Sequence, residues 1–391
     1  EGCASAGYPS DEWRDRIEAV RERLPEDSRG RLMLTAVYCH VLSLQPGDRA
    51  RQLAEWSLAR ANMFGPVERQ TVLMHVTQVL GASSPIERIM ELVRGALDAA
   101  RDAGRASDIV VALSTLRLTY LANGDLTRSD EIATQYEELV RAVRIPRYMA
   151  GVEQRRAMRA LLAGRFAEAE AHANETYVLQ PTEEYFEGLA VQLFAICYEQ
   201  GRFEEIRSAV ETWASEFERP AWKIGYAALL AEAGELDAAR AVLAPYLSRP
   251  LEQVLPPDDL YFLCVAAVAT TVVELGDAAH APHLYELLAP HASRVIVTAQ
   301  GALCWGSIQR FLGPLAALTG NSERASVHFE AAMAVHERLG ARPFLARDRL
   351  AYARMLRQTG GDDARIAQLE RTGLALARQL GMRSLLNRYA R

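Results

Sequence analysis

The chain has 391 residues, of which 50% are apolar and 24% are charged, with a net charge of −6 and a pI near 5.9. This length is enough for two or three compact domains or for one long repeat array, and the composition is that of a folded chain, not a disordered one. Surfaces that bind nucleic acid usually show a strong basic excess, so the acidic balance argues against direct nucleic-acid contact.

Cysteine usage and the N-terminal residues predict a cytoplasmic protein. The five cysteines are far apart and form no CxxC pair, so we expect reduced thiols and neither a disulfide framework nor a zinc ribbon. Asp11, Glu12 and Asp15 stand where a signal peptide would be basic and then apolar. The longest apolar run, 261–273, is too short to span a bilayer and predicts a buried helix. Because the chain begins at Glu1 and not at methionine, we expect it to be a piece of a longer polypeptide.

A glycine followed by a polar turn recurs along the chain, each time between a segment of small and apolar residues and an amphipathic one. The glycines that mark the turns lie 33 to 44 residues apart, at Gly124, Gly164, Gly201, Gly234, Gly276, Gly320 and Gly361. Glycine adopts the left-handed conformation that ends a helix, and the polar turn begins the next, antiparallel helix. The pattern predicts helical hairpins, which must stack because none buries its apolar face alone.

The fifth residue after the turn glycine is small in most repeats, as expected where the two helices of a hairpin come closest. The position holds Ser129, Ala169, Ala239, Ala281 and Ala325, whereas Ile206 and Ile366 depart from the pattern. In the clearest repeat, Ala325, Phe329 and Ala332 follow the spacing i, i+4 and i+7, which places them on one face of a helix.

Part of this pattern resembles the tetratricopeptide repeat. The run 164–169 with Pro181 is close to the second half of that consensus, and Tyr120 and Gly313 fit positions of its first helix. Most units here exceed the standard length of about 34 residues, and the usual first-helix tryptophan is missing. The likeness implies an all-α fold, a right-handed α-solenoid of irregular tetratricopeptide-like hairpins.

Four prolines interrupt the array and predict a hinge or a break between subdomains, at Pro245, Pro250, Pro256 and Pro257. We therefore predict three segments. They are degenerate N-terminal helical repeats over 1–110, central tetratricopeptide-like repeats over 111–250, and C-terminal tetratricopeptide-like repeats over 258–391.

The last third has a closer resemblance. It is similar to the C-terminal helical-repeat region of large actinobacterial signalling ATPases, which include the large LuxR-type transcriptional regulators and the cyclase-coupled STAND or AAA ATPases. The segments that carry the likeness are 284–291, 304–307, 328–332, 336–343 and 346–356, and 145–148 and 161–169 resemble the middle of the same region. In that family an NTPase module precedes the repeats, and a cyclase or DNA-binding module supplies the output. The resemblance implies a regulatory module within such a polypeptide.

The sequence shows no motif of an enzyme or of a cofactor site. A P-loop needs a lysine directly after its last glycine, and the single lysine, Lys223, does not follow a glycine-rich loop. His336 begins a zincin-like pattern but the second histidine is absent, and His280 and His283 lack a third ligand. We therefore expect a binding protein with no cofactor and no metal.

Two segments are candidates for a binding surface. The arginine-dense stretch 141–159, with Tyr148 among its residues, suits carboxylate or phosphate groups, or else forms solvated helix faces paired with glutamates. In the segment 291–307, the β-branched residues 295–298 predict an extended linker. Either the linker shapes a pocket at the mouth of a groove, or its apolar residues pack as core and Trp305 anchors the next helix.

We expect the first helices of successive hairpins to line the concave side of the solenoid and to form the binding groove. The candidate residues for partner binding are Arg155, Arg159, Tyr198, Tyr148, Trp222, Trp305 and Gln300. The predicted partner is a protein or a peptide, or a small effector, with no membrane contact. The alternative is a stand-alone adaptor scaffold that holds two proteins together.

Overall fold

The computed structural model describes residues 11–43, 48–81, 84–217 and 219–389. It is 79% helical and has 20 α-helices in this part of the chain, with one two-stranded sheet. The predicted all-α class of successive helical hairpins is confirmed.

The chain divides into two compact units. Unit 1 consists of the described residues as far as Tyr148 together with Arg249–Tyr261, and unit 2 consists of Met149–Ser248 and the described residues from Phe262 onward. The proline-rich segment that follows Ser248 therefore packs as part of unit 1. Pro245 was expected to interrupt the array. It lies instead inside a helix that continues to Leu247. The three predicted segments describe the repeat pattern, whereas the two units follow from packing.

Unit 1 is built from helices that pack on their neighbours in the chain, from α2 through α7. Its helices are α1 (Asp11–Arg23), α2 (Arg29–Leu42), α3 (Arg49–Leu58), α4 (Pro66–Leu80), α5 (Ile86–Asp102), α6 (Ala106–Ala122) and α7 (Leu126–Val143). Side-chain oxygens of Ser28 and Asp125 accept hydrogen bonds from the first turns of α2 and α7, which explains where these helices begin.

Unit 2 contains the remaining helices and the sheet. The helices before the proline-rich segment are α8 (Pro146–Leu162, starting within unit 1), α9 (Phe166–Leu179), α10 (Glu183–Gln200), α11 (Phe203–Glu216), α12 (Pro220–Ala233) and α13 (Leu236–Leu247). After it come α14 (Tyr261–Glu274), α15 (Ala281–Leu288), β1 (Val295–Thr298), β2 (Leu303–Ser307), α16 (Gln309–Leu318), α17 (Ser322–Leu339), α18 (Arg342–Thr359), α19 (Asp363–Leu380) and α20 (Arg383–Tyr389).

The turn residues and the small residues behave as the repeat pattern predicts. The turn glycines have φ between +64° and +89°, with Gly360 taking this conformation in the last hairpin and not Gly361. Ala169, Ala239, Ala281 and Ala325 are completely buried. At Gly313 of α16 an added Cβ would lie 3.2 Å from the ring of Phe329, so the missing side chain lets α16 and α17 approach closely.

The last helices of unit 2 pack back against its first hairpins. A Cβ added at Gly164, in the α8–α9 turn, would lie 2.5 Å from a methyl carbon of Leu380. A Cβ added at Gly201, in the α10–α11 turn, would lie 2.8 Å from the backbone nitrogen of Ser384. Because α19 and α20 thus contact the turns of the first two hairpins, the series of hairpins in unit 2 is closed on itself.

Replacing Gly201 by alanine is expected to cost more stability than the same change at Gly320. Both residues have positive φ, at +70° and +80°, so each substitution carries a strain of about 1–2 kcal/mol. At Gly320 nothing lies within 4 Å of the added Cβ, whereas at Gly201 it meets backbone that cannot rotate away. We expect Gly201→Ala to lose at least about 1 kcal/mol more, measured by urea denaturation. Equal losses would show that the closure against α20 contributes nothing.

The small sheet lies inside unit 2. β1 and β2 are antiparallel, with Val295 opposite Ser307, Thr298 opposite Leu303, and an irregularity after Ile296. All five residues of β2 are buried, and this strand packs on α10, α16 and α17. The predicted extended segment 295–298 is confirmed as β1, whereas β2 was not predicted.

Candidate functional site

The arginine-dense stretch is divided between the two units and is partly ion-paired. Arg155 and Arg159 are half-buried on α8, and Tyr148 is half-buried with its carbonyl accepting a hydrogen bond from the tyrosine hydroxyl of α7 at 3.0 Å. Arg156 pairs with Glu153 of the same helix at 2.6 Å, and the other oxygen of Glu153 contacts a histidine of α9 at 2.7 Å. Arg156 therefore agrees with the second of the two expectations for this stretch, in which its arginines lie on solvated helix faces and pair with glutamates.

Tyr198 and Trp305 belong to the interior of unit 2. They are 4% and 7% exposed, and their ring centroids lie 5.6 Å apart. Trp305 also packs edge-on against Phe344 of α18, at 5.6 Å. Gln300 is exposed in the β1–β2 turn. Trp305 therefore takes the packing role that was one of the two expectations for this segment, although it lies on a strand and joins α10 to α18.

A cluster of buried charged groups, which we call the polar centre, surrounds Glu232 of α12. The Glu232 carboxylate accepts hydrogen bonds from Arg347 Nη1 at 3.0 Å and from Arg388 Nη2 at 2.8 Å. It also accepts from Ser384 Oγ at 3.0 Å and from the hydroxyl of Tyr198 at 3.3 Å. Burial raises the pKa of Glu232, but the two arginines outweigh burial and hold it at about 2. The carboxylate is therefore charged in the folded protein at neutral pH.

Arg347 of α18 extends the polar centre to α10. Its Nε donates to Glu199 at 2.8 Å, and its guanidinium lies 4.9 Å from the ring centroid of Tyr198. Arg388 of α20 also pairs with Glu274 of α14. Five helices thus contribute to one network in which positive and negative groups alternate. The polar centre therefore connects α18 and α20 to α10, α12 and α14.

One arrangement in unit 2 looks like a catalytic dyad. Nδ1 of His336 lies 2.5 Å from a carboxylate oxygen of Asp348, and Nε2 accepts a hydrogen bond from the backbone N–H of Ser307 at 2.9 Å. His336 is completely buried, and its Nε2 lone pair is already occupied. The two hydrogen bonds of His336 join β2 to α17 and α18.

A row of aromatic side chains, which we call the aromatic strip, runs across α9 to α12. Its members are Tyr177, Phe186, Trp213, Trp222 and Phe217, in the order of their ring contacts. Successive ring centroids lie 5.9, 6.0, 4.8 and 6.4 Å apart. Phe186 is 37% exposed and the other four are half-buried. The strip lies at the helix ends opposite the glycine turns.

Only Trp222 of this strip was among the sequence candidates. Tyr177, Trp213 and Phe217 stand at the ends of second helices, outside the first helices of the concave-groove hypothesis. Phe186 lies on a first helix but was not among the candidates. The available signal was an aromatic residue close to each junction between consecutive hairpins, at 177, 186, 213, 217 and 222. These aromatic residues indicate a continuous surface only when successive hairpin junctions are known to lie side by side in the folded chain.

Glutamates predominate on the helix ends that carry the aromatic strip. Among the described residues, the ends of α9 to α12 that carry the strip contain six glutamates. The same region has two basic side chains, one in α12 and one on the residue just before it. These residues are Glu175, Glu183, Glu184, Glu187, Glu211 and Glu216, with Arg219 and Lys223. Arg219 lies 3.3 Å from Glu187, and the other five glutamates are exposed. The described helix ends that carry the strip therefore have an excess of negatively charged side chains.

The sequence matches no protein-family model, and no curated protein matches it. No helix in the described part of the chain has both the length and the apolar character needed to cross a bilayer. The described residues include no group of three or more histidine, cysteine or acidic side chains that could hold a metal ion. Four cysteines are free and buried, and Cys3 lies outside the described residues.

Proposed function

We propose that this chain is a non-enzymatic regulatory repeat module that binds a protein or peptide partner through the aromatic strip of unit 2. The observation that carries the proposal is the continuous row of half-exposed aromatic rings on four consecutive helices. Single exposed apolar residues are ordinary in folded proteins, whereas contiguous ones are typical of interaction sites. Tyrosine, tryptophan and phenylalanine provide much contact area for little loss of side-chain freedom.

The aromatic strip is a different binding surface from the concave groove that the sequence analysis expected. Of the leading groove candidates, Tyr198 is used by the polar centre, and Trp305 is enclosed with the rest of β2. Arg155 and Arg159 are half-buried on α8 and are not members of the strip. Trp222 is the candidate that the proposal retains.

The regulatory context rests on the resemblance of the chain to the repeat region of actinobacterial signalling ATPases. In this proposal the module acts in the cytoplasm as part of an ATP-dependent signalling or transcriptional regulator and passes partner binding on to other modules. The occupied Nε2 of His336 supports a role without catalysis.

We expect the purified chain neither to hydrolyse ATP nor to bind it tightly. The physical reason is that the single lysine, Lys223, lies in the first turns of α12 and in no glycine-rich loop that would cradle phosphates. Isothermal titration calorimetry and a phosphate-release assay check this. Saturable ATP binding that one point substitution abolishes would contradict it.

A peptide selection tests the proposed binding surface. Peptides from a random displayed library are selected on the wild-type chain, and the affinities of enriched sequences are measured for Trp222→Ala and for Trp56→Ala. Trp56 is a half-buried tryptophan of unit 1 and serves as the matched control. We expect Trp222→Ala to weaken binding at least about tenfold, as for a residue at the centre of an interface, and Trp56→Ala to leave it unchanged. Enriched peptides that tolerate Trp222→Ala would overturn the proposal.

A further inference from the structure

We infer that the partner of the aromatic strip is a basic, extended peptide segment whose arginine or lysine side chains stack on the strip and pair with the glutamates beside it. This inference rests on the proposed function and adds the chemistry of the partner. Three properties of the strip carry it: its charge, the character of its rings, and its shape.

The charge of the surroundings selects the sign of the partner. Five exposed glutamates lie on the helix ends that carry the strip, and of the two basic side chains there Arg219 already lies beside Glu187. An acidic segment would meet an excess of like charge on these helix ends, which weakens association and disfavours such a partner. A basic segment would be attracted to the same helix ends and associate faster.

The rings provide a second, independent attraction for the same groups. A guanidinium or an ammonium group over an aromatic face is attracted by the negative charge of the ring face. Elsewhere this chain uses that contact repeatedly: Arg60 lies 4.3 Å from the ring centroid of Trp56, and Arg310 lies 4.3 Å from that of Phe344. Half-exposed rings on helix ends that also carry exposed carboxylates offer arginine both an aromatic surface and hydrogen-bond acceptors.

The shape of the strip fits an extended chain. The ring contacts form a single row, with centroid steps of 5.9, 6.0 and 4.8 Å from Tyr177 to Trp222. In an extended peptide, alternate side chains face the same way and stand about 6.6 Å apart, so alternate arginines can follow successive rings. A docked helix is about 10–12 Å across and needs a groove with two lined sides, which a single row does not supply.

The test uses three fluorescently labelled octapeptides and the complete chain. The first alternates arginine with serine, the second has the same composition with its four arginines in one block, and the third alternates glutamate with serine. Fluorescence anisotropy is expected to show the alternating basic peptide binding at least fivefold more tightly than the block peptide, with no binding of the acidic one. Its affinity should also fall as salt is raised, because the glutamates are exposed.

Four variants connect the binding to the strip. Trp222→Ala, Phe186→Ser and the double variant Glu183→Gln/Glu184→Gln should each weaken binding of the alternating peptide at least fivefold. Glu87→Gln/Glu91→Gln, which removes the same charge from the start of α5 in unit 1, should leave it unchanged. Phe186→Ser alters an exposed side chain, so it keeps the test valid if Trp222→Ala fails to fold, which far-UV circular dichroism shows.

Two results would overturn the inference. One is equal affinity for the alternating and block peptides, which would show a general attraction to positive charge. The other is binding that survives both Trp222→Ala and Phe186→Ser. If library selection yields strip-dependent peptides that are not basic, the proposed function stands and only this inference fails. If no selected peptide depends on the strip, both fail.

Discussion

Replacing Glu232 by alanine is expected to destabilise unit 2 by about 3–5 kcal/mol, because it leaves two arginines buried without their shared carboxylate. The side chains of Arg347 and Arg388 are only 12% and 24% exposed, and both donate to Glu232. Arg347 would keep Glu199, and Arg388 would keep Glu274, so the loss is large but the unit has other contacts. Urea denaturation followed by circular dichroism measures it, and hydrogen exchange in α10 and α20 shows where it acts.

An exposed ion pair provides the control. Glu330 and Arg365 pair at 2.6 Å, with side chains 51% and 33% exposed, and Glu330→Ala should cost no more than about 0.5 kcal/mol because water screens the pair. A similar small cost for Glu232→Ala would show that the polar centre does not hold unit 2 closed.

The Glu232 carboxylate also makes the stability of unit 2 depend on pH. Because the pKa of Glu232 is lowered to about 2 in the folded protein from 4.5, its stabilisation is complete above pH 4.5 and is lost as pH falls towards 2. Glu232→Gln should lower stability at neutral pH and remove this part of the acid dependence.

Unit 1 is expected to lose stability at a higher pH, between about 6.5 and 4, because it encloses two neighbouring histidines. The rings of His40 on α2 and His75 on α4 lie 5.6 Å apart. Burial lowers the pKa of His75 to about 4, with His40 as a second cause, and burial also lowers the pKa of His40 against a weak opposing effect of Asp259. Both histidines are therefore neutral in the folded state at neutral pH.

The sign follows from proton binding. Below pH 6.5 the unfolded chain binds protons at these histidines and the folded chain does not, so stability falls as pH falls until the folded pKa is reached. For His75 the loss amounts to about 2–3 kcal/mol at pH 4. Hydrogen exchange in α2 and α4 between pH 7.5 and 4.5 measures it.

The variant His75→Phe keeps an aromatic ring against His40 and removes one titrating group. Its exchange rates in α2 and α4 should depend less on pH than those of the wild type, with little change at pH 7.5. An unchanged pH dependence would mean that His75 is not the group responsible.

Local sequence signals were sufficient for the hairpins. The turn glycines adopt the left-handed conformation, and the alanines five residues later are buried because the two helices of a hairpin meet there. Each of these features depends on residues close together in the chain, so a pattern of spacing predicts it. The extended backbone of β1 was predicted for the same reason, since four consecutive β-branched residues disfavour a helix. Its pairing with β2 was not predicted.

Contacts between distant residues were not predictable in this way. β2 contains Cys304, Trp305 and Gly306, which have no alternating pattern of their own, and it is a strand because β1 and three helices enclose it. The polar centre joins Glu232 to Arg388, 156 residues later, and nothing in either local segment indicates the partner.

The sequence alone therefore established the all-α class and the positions of the glycine-marked hairpins, because these follow from backbone conformation and from the helical period. The closure of unit 2 and the exposure of each aromatic ring depended on tertiary packing. Tyr198 and Trp222 are both aromatic residues on first helices, yet Tyr198 is sealed beneath α18, whereas Trp222 remains half-exposed at a hairpin junction. Burial is a property of the neighbours that a side chain acquires on folding, and these neighbours lie far away in the chain.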